Sequence, residues 1–235
     1  MADRPPPGAF TPAERRLIHR LRTPPLVQQY LNALPYNTEP PPGRATLRSF
    51  RGVVRHHTAH CLEAALAAAV ILEQHGHPPL VLSFESADHL DHVIFVYRAR
   101  GRWGSIARSR DPGLHGRKPV FRTPRDLALS YVDPYVDETG LVTGYAVVDL
   151  RILGTYDWRL AETNVWKVER MLLDYPHRAI RTSRARIARL RARFRAFKRQ
   201  HADEKPLYFR GQERWSELPP EYRGVNRGRS RAWAS

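Results

Sequence analysis

One cysteine, Cys61, stands among 235 residues. That excludes an intramolecular disulfide and a paired-cysteine zinc site, and leaves Cys61 either to pack or to react. Alone it reads as a small buried hydrophobe. A thiol reacts as the thiolate, and needs positive charge nearby to become one. Thr58 is a good N-cap for an alanine-rich run, Ala59 to Gln74, with Gly76 as its stop. Cys61 then sits at the third position of the helix, in the first turn, where unpaired N–H groups and the helix dipole favour negative charge. His92, next to Asp91, opens a β-type run and is the expected base, able to hold the thiolate and later protonate a leaving group. A third group would orient the imidazole through its other nitrogen. A hairpin turn at Arg100 and Gly101 sets His92 opposite Ser109 and places Ala107, Ser109 and Asp111 on its face. Asp111 is the only carboxylate in that stretch, but Asp111-Pro-Gly113 is first of all a turn signal. Ser109, Asp111 or a main-chain carbonyl could fill the third role, or a dyad could work without a carboxylate. His60 and the amide of Cys61 are oxyanion candidates at the same helix start.

These residues need elements to position them. The proline-rich beginning, with Pro5-Pro-Pro7, Pro24-Pro25 and Pro40-Pro-Pro42, leaves room for short helices only. Thr11-Pro12 opens one through Leu21, and a second covers Leu26 to Leu34. The alanine-rich helix is apolar on most faces and is expected to be buried. Leu80 to Phe84, His92 to Tyr97 and Trp103 to Ala107 read as strands, the last two forming the hairpin. Thr123 caps a further helix through about Tyr131, Tyr145 to Leu153 reads as a strand, and Val165 to Leu173 and Arg178 to Gln200 read as helices. The resulting fold class is α+β, a central helix on an antiparallel sheet.

The order and spacing of four stretches resemble the transglutaminase-like superfamily, the cysteine-dependent branch that is also similar to papain-type peptidases and arylamine acetyltransferases. They are His60-Cys61-Leu-Glu-Ala-Ala-Leu66, Gly76-His-Pro-Pro-Leu-Val-Leu82, Asp91-His92-Val-Ile-Phe-Val-Tyr97 and Gly101-Arg-Trp103-Gly104. The flanking Leu34-Pro-Tyr-Asn37 and Pro119-Val-Phe-Arg-Thr123 are similar to an uncharacterised bacterial branch. The resemblance implies a papain-like fold with extra N- and C-terminal helices. It also implies a cysteine-dependent amide hydrolase or acyl transferase, a protease or transamidase working through an acyl-enzyme. One departure concerns the third member: the family places an aspartate a few residues after the hairpin tryptophan, where this chain has Ile106-Ala107-Arg108 and reaches Asp111 later.

Charge divides the chain unevenly. The formal net charge is +16, yet residues 1–177 hold 22 basic against 18 acidic side chains, while Arg178 to Arg199 holds 10 basic and no acidic ones. Charge therefore argues for a partner of that segment only. Ile187, Leu190, Phe194 and Phe197 form an apolar stripe there. Arg184, Arg186, Arg189, Arg191, Arg193 and Arg195 could meet an anionic partner, whether nucleic acid, lipid or acidic protein. This supports an alternative reading, a non-catalytic binding protein. No helix-turn-helix, zinc finger or RNP-type pattern suggests base readout. The expected division is a disordered N-terminus over 1–10, the catalytic-type domain over 11–177, a basic amphipathic helix over 178–205 and a polar basic tail over 206–235. His56 and His60, and His89 and His92, have ligand-like spacing, but no H-E-x-x-H or paired-cysteine motif accompanies them, so no metal or other cofactor is expected. No apolar run approaches the roughly 20 residues of a membrane span, and the start lacks a secretory h-region, so a cytoplasmic location is expected.

Overall fold

The computed structural model describes residues 4–39 and 45–204; the expected tail over 206–235 lies outside them. Around the cysteine helix, α4 (Cys61–Glu73), the chain builds a six-stranded sheet in the order β4-β3-β2-β1-β5-β6. The strands are β1 (Leu80–Ser86), β2 (Val93–Ala99), β3 (Arg102–Ile106), β4 (Arg117–Phe121), β5 (Val142–Asp149) and β6 (Arg178–Ala179). Every neighbouring pair is antiparallel. The fold is therefore α+β, with the cysteine-bearing helix packed on an antiparallel sheet and additional helices at both ends.

Side-chain alternation assigns the two faces of the sheet. Val81, Val93, Phe95, Tyr97, Ala146 and Val148 point into the larger core with α4. There they meet α1 (Pro12–Arg20), α2 (Pro24–Ala33), α3 (Phe50–His56) and α6 (Trp166–Asp174). Leu82, Phe84, Ile94, Val96 and Tyr145 face the opposite way, onto α5 (Pro124–Tyr135). Every residue of α4 from Leu62 to Glu73 is buried, and its alanines let strands approach its backbone closely. Glu73 can enter that core because Arg159 meets it through two hydrogen bonds of 2.7 Å, an ion pair that satisfies both charges.

The hairpin forms as its residues dictate. Arg100 (φ 49°) and Gly101 (φ 74°) make a two-residue turn with both central residues at positive φ. It pairs Ala99 with Arg102 and Phe95 with Ile106, where the pairing ends.

Several boundaries differ from expectation for identifiable reasons. Residues 4–10 are ordered: Phe10 is buried and packs edge-on against Phe50 at 6.1 Å, and Arg51 takes the carbonyl of Ala9 at 2.8 Å. The strand expected to reach Leu153 stops at Asp149, whose side chain accepts the N–H of Arg151 and starts a 3-10 turn, Leu150–Leu153. The basic segment is not helical from Arg178, because Arg178–Ala179 pairs with β5 and Ile180 donates its N–H to Thr143 at 2.7 Å. The helix, α7 (Arg184–Gln200), begins where Ser183 caps Arg186. Helix α5 continues to Tyr135 despite Pro134, in a last turn where only one bond is lost.

Candidate active site

Helix α4 starts later than Thr58 implies. Ala59 remains extended, bridged to Tyr36, with its N–H on the Pro35 carbonyl at 3.3 Å and its carbonyl taking the Asn37 N–H at 3.2 Å. The Thr58 hydroxyl accepts from Arg48 instead of capping. His60 is therefore the N-cap, with its N–H on the Glu63 carboxylate at 3.0 Å, and Cys61 is the first helical residue rather than the third. It is the one partly exposed residue of its helix. Burial raises the Cys61 thiol pKa, but hydrogen bonds and charge from His60 and His92 outweigh it and hold the thiol well below its ordinary value.

The structure brings His92 to Cys61, orients it by a main-chain carbonyl, and leaves Asp111 near Tyr36 on the same side of the site. His92 immediately precedes β2, is 3% exposed, and lies parallel to the Phe84 ring at 6.2 Å with Tyr131 at 6.1 Å. Its Nε2 donates to the main-chain carbonyl of Leu114 at 3.0 Å. A carbonyl only accepts, so the proton sits on Nε2 and the neutral ring carries its lone pair on Nδ1. The Ser109 hydroxyl accepts the Asp111 N–H at 3.0 Å. Asp111 then precedes the 3-10 turn Pro112–Leu114, whose closing bond runs from the Leu114 N–H to the Asp111 carbonyl at 2.9 Å. That turn delivers a peptide carbonyl to the imidazole where a carboxylate was one of the sequence's options.

A buried guanidinium holds the carbonyl in place. Arg117 donates to the carbonyls of Gly113 and His115, each at 2.6 Å, on either side of Leu114. It stacks on Tyr131 at 3.9 Å. The Tyr131 hydroxyl also reaches the His115 carbonyl, at 3.0 Å. Arg117 takes the Ser130 carbonyl at 3.4 Å too, the group that loses its helical donor because Pro134 has no N–H. Burial pulls the Arg117 pKa down to about 10, which leaves it cationic at neutral pH.

On the other side of the sulfur, the His60 Nε2 donates to the Thr46 carbonyl at 2.9 Å and lies 3.6 Å from the Glu63 carboxylate. Glu63 is fully buried. It receives Asn37 Nδ2 at 3.1 Å, Thr46 Oγ1 at 2.9 Å, the Arg48 N–H at 2.9 Å and the His60 N–H at 3.0 Å. The Cys61 main-chain N–H, an oxyanion candidate, meets the Tyr36 phenol. Burial, aided by the charge of Cys61, pushes the Tyr36 pKa up, so the phenol remains a hydrogen-bond donor.

Glu63, Thr46, Tyr36, Leu114 and Arg117 were not found from the sequence as functional residues. Glu63 had a readable signal, an acid at the third position after a helix cap; a main-chain carbonyl has none. Of the six expected anion-binding arginines, three turn toward the domain. Arg186 pairs with Asp133 at 2.7 Å, Arg191 takes the Thr139 carbonyl at 3.2 Å, and Arg195 lies 3.4 Å from Glu138. Arg184, Arg189 and Arg193 are exposed. Among the described residues no group of three His, Cys, Asp or Glu side chains could hold a metal ion, and no helix is long and apolar enough to cross a membrane.

No family model matches the chain, and no curated protein matches it. Among solved structures it is similar to LapG of Legionella pneumophila. The EGTA-treated form gives a TM-score of 0.35 at 13% identity over 64% of this chain and 90% of that one. The calcium-bound form gives 0.33 at 13% identity over 70% and 94%.

Proposed function

We propose that the protein is a cysteine-dependent amide hydrolase or acyl transferase of transglutaminase-like type, with Cys61 as nucleophile and His92 as base and acid. The observation that carries this reading is the cysteine at the first position of α4 together with an imidazole whose Nε2 is fixed on the Leu114 carbonyl, an imidazole that helps lower the thiol pKa. The thiol proton passes to His92 Nδ1 as sulfur attacks the substrate carbonyl, forming a C–S bond and an oxyanion. Collapse breaks the C–N bond, His92 returns the proton to the departing amine, and the acyl group stays on sulfur. Water or a second amine then gives its proton to His92, attacks the thioester and releases the thiolate, which recovers that proton. The Cys61 amide and the Tyr36 hydroxyl flank the position the oxyanion would take. A free cysteine with a working thiol fits a cytoplasmic setting.

The test is thiol alkylation by iodoacetamide across pH, in the native protein and in His92→Ala, against unfolded protein, followed by a screen of peptide amides and thioesters. Alkylation at pH 6 that slows by at least about 10-fold in the variant, with turnover lost in Cys61→Ala, is the expected result. A thiol indifferent to His92, or turnover unchanged in Cys61→Ala, sinks the reading.

A second reading is favoured by Arg184 and Arg189 on the exposed side of α7: a non-catalytic protein holding an anionic partner there. It expects salt-sensitive binding of nucleic acid or anionic vesicles that survives Cys61→Ser and disappears when these two arginines become glutamine.

A further inference from the structure

The acyl-transfer cycle uses one imidazole, yet two border the sulfur. His60 and His92 are arranged alike: each fixes its Nε2 proton on a main-chain carbonyl, Thr46 at 2.9 Å and Leu114 at 3.0 Å, and each acts on the thiol to lower its pKa. They differ in what stands behind the carbonyl. Behind His60 is the Glu63 carboxylate, 3.6 Å from its ring, buried and held by four donors. Behind His92 is the Arg117 guanidinium, clamping the peptide carbonyls on both sides of Leu114.

We propose that His60 is a second catalytic imidazole, an imidazolium at working pH between Glu63 and the sulfur, that holds Cys61 as the thiolate while His92 alone accepts and returns the reaction's proton. This deepens, and rests on, the reading of Cys61 as a nucleophile. With Glu63 ionised, His60 protonated, the thiol proton on His92 and sulfur anionic, the four groups sum to zero charge. No further counterion is required in a site that is largely closed to water. The division of labour follows from the backing charges. An imidazolium beside a carboxylate keeps its proton, and that is the property of a fixed counter-charge. His92 is bound to a neutral carbonyl instead, and is the imidazole left to exchange a proton with the leaving amine. The raised pKa of His60, about 9 despite burial, agrees with this geometry, its causes being the bond to and charge of Cys61, then Glu63 and Thr46.

The other ionisable groups facing the pair leave the assignment intact: His115, buried beside His92, has its pKa pulled well down by burial and by the charge of Arg108 and His92, and stays neutral. Glu39 reaches the Thr46 hydroxyl at 3.3 Å, on the same side as Glu63. The Arg48 guanidinium is turned to Thr58. Tyr36 has Arg110 and Asp111, of opposite charge, beside it, and Tyr135 senses the Cys61 charge from α5.

The test combines ring nitrogen NMR with alkylation kinetics. In the native protein the His60 ring should carry the imidazolium shift at pH 7.5 and titrate near pH 9. A neutral His60 at pH 7.5 overturns the proposal. In His60→Asn, which retains a good N-cap, iodoacetamide should react at pH 6.5 at least about 10-fold more slowly than in the native protein, because the thiol pKa rises. An unchanged alkylation profile also overturns it. Glu63→Gln should shift both readouts the same way; if that buried variant does not fold, the native NMR titration decides. Dependence on His60 without dependence on His92 would keep His60 as the counter-charge of the thiolate while removing the role of His92 and the acyl-transfer reading with it. Dependence on His92 alone would do the reverse.

Discussion

The two flanks of Cys61 differ by the sign of one buried charge. Toward the N-terminal layer, the sulfur's neighbour His60 is backed by Glu63, gathered by Asn37, Thr46 and Arg48 from the segment before α4. Toward the sheet and α5, its neighbour His92 is backed by a turn whose carbonyls are tied to Arg117. A carboxylate attracts a proton and a guanidinium repels one, and this contrast underlies the two roles proposed for His60 and His92. His92 is oriented by a carbonyl, because orientation requires only a fixed acceptor for Nε2.

The largest expected break in that contrast is at Arg117. In Arg117→Ala the Gly113 and Ser130 carbonyls lose a charged donor inside the core, which should destabilise the fold by about 3 kcal/mol or more in denaturant unfolding. It should also lower any turnover by about 100-fold through a misplaced Leu114. Arg117→Lys supplies charge without a fork that spans two carbonyls and should recover little of either. Disrupting the buried pair behind α4 is a control of similar structural weight. Glu73→Ala strands Arg159 and should cost about 3 to 5 kcal/mol while leaving the pH dependence of thiol alkylation where it was.

The His60 flank has a pH signature. Its pKa rises on folding from 6.5 to about 9. The associated stability is therefore full below about pH 6.5, declines as pH rises, and is gone once pH passes about 9. The stability difference between native protein and His60→Asn, measured by urea unfolding, should shrink over that interval; a difference that grows with pH would contradict the assignment. The smallest effect is expected at the acid that the sequence offered as an orienter. Asp111→Asn and Ser109→Ala should leave the alkylation profile within about 3-fold of native, since the Leu114 carbonyl already holds His92. A loss of about 10⁴, as when a true orienting aspartate is removed, would restore the triad.

Much of this was legible in the chain. Period-2 runs and the Arg100-Gly101 turn set the hairpin register, which the backbone shows from Ala99–Arg102 to Phe95–Ile106; the pairing ends there, before His92 and Ser109. The alanine-rich run and its Gly76 stop located α4, because burial on every side demands small apolar residues throughout. The start of that helix was misread by two residues: Thr58 has the right side chain for a cap, but Ala59 is committed to a bridge with Tyr36. Helix α3 and strand β4 were missed, since each is short and held by tertiary partners more than by its own pattern. At the end of the segment expected to be disordered, Phe10 is buried against Phe50, a long-range contact that no local pattern records.

By itself the sequence determined which two side chains could do thiol chemistry and that a helix start and a strand start would carry them. Residue type and periodicity are local properties, and they suffice for that. Only the tertiary structure decided what orients each imidazole, because a backbone carbonyl exists at every residue and is selected by folding alone. The same holds for the charges behind them. Glu63 lies three residues from His60, and a cap pattern hints at it, but Arg117 reaches His92 only through a turn whose shape no spacing rule records.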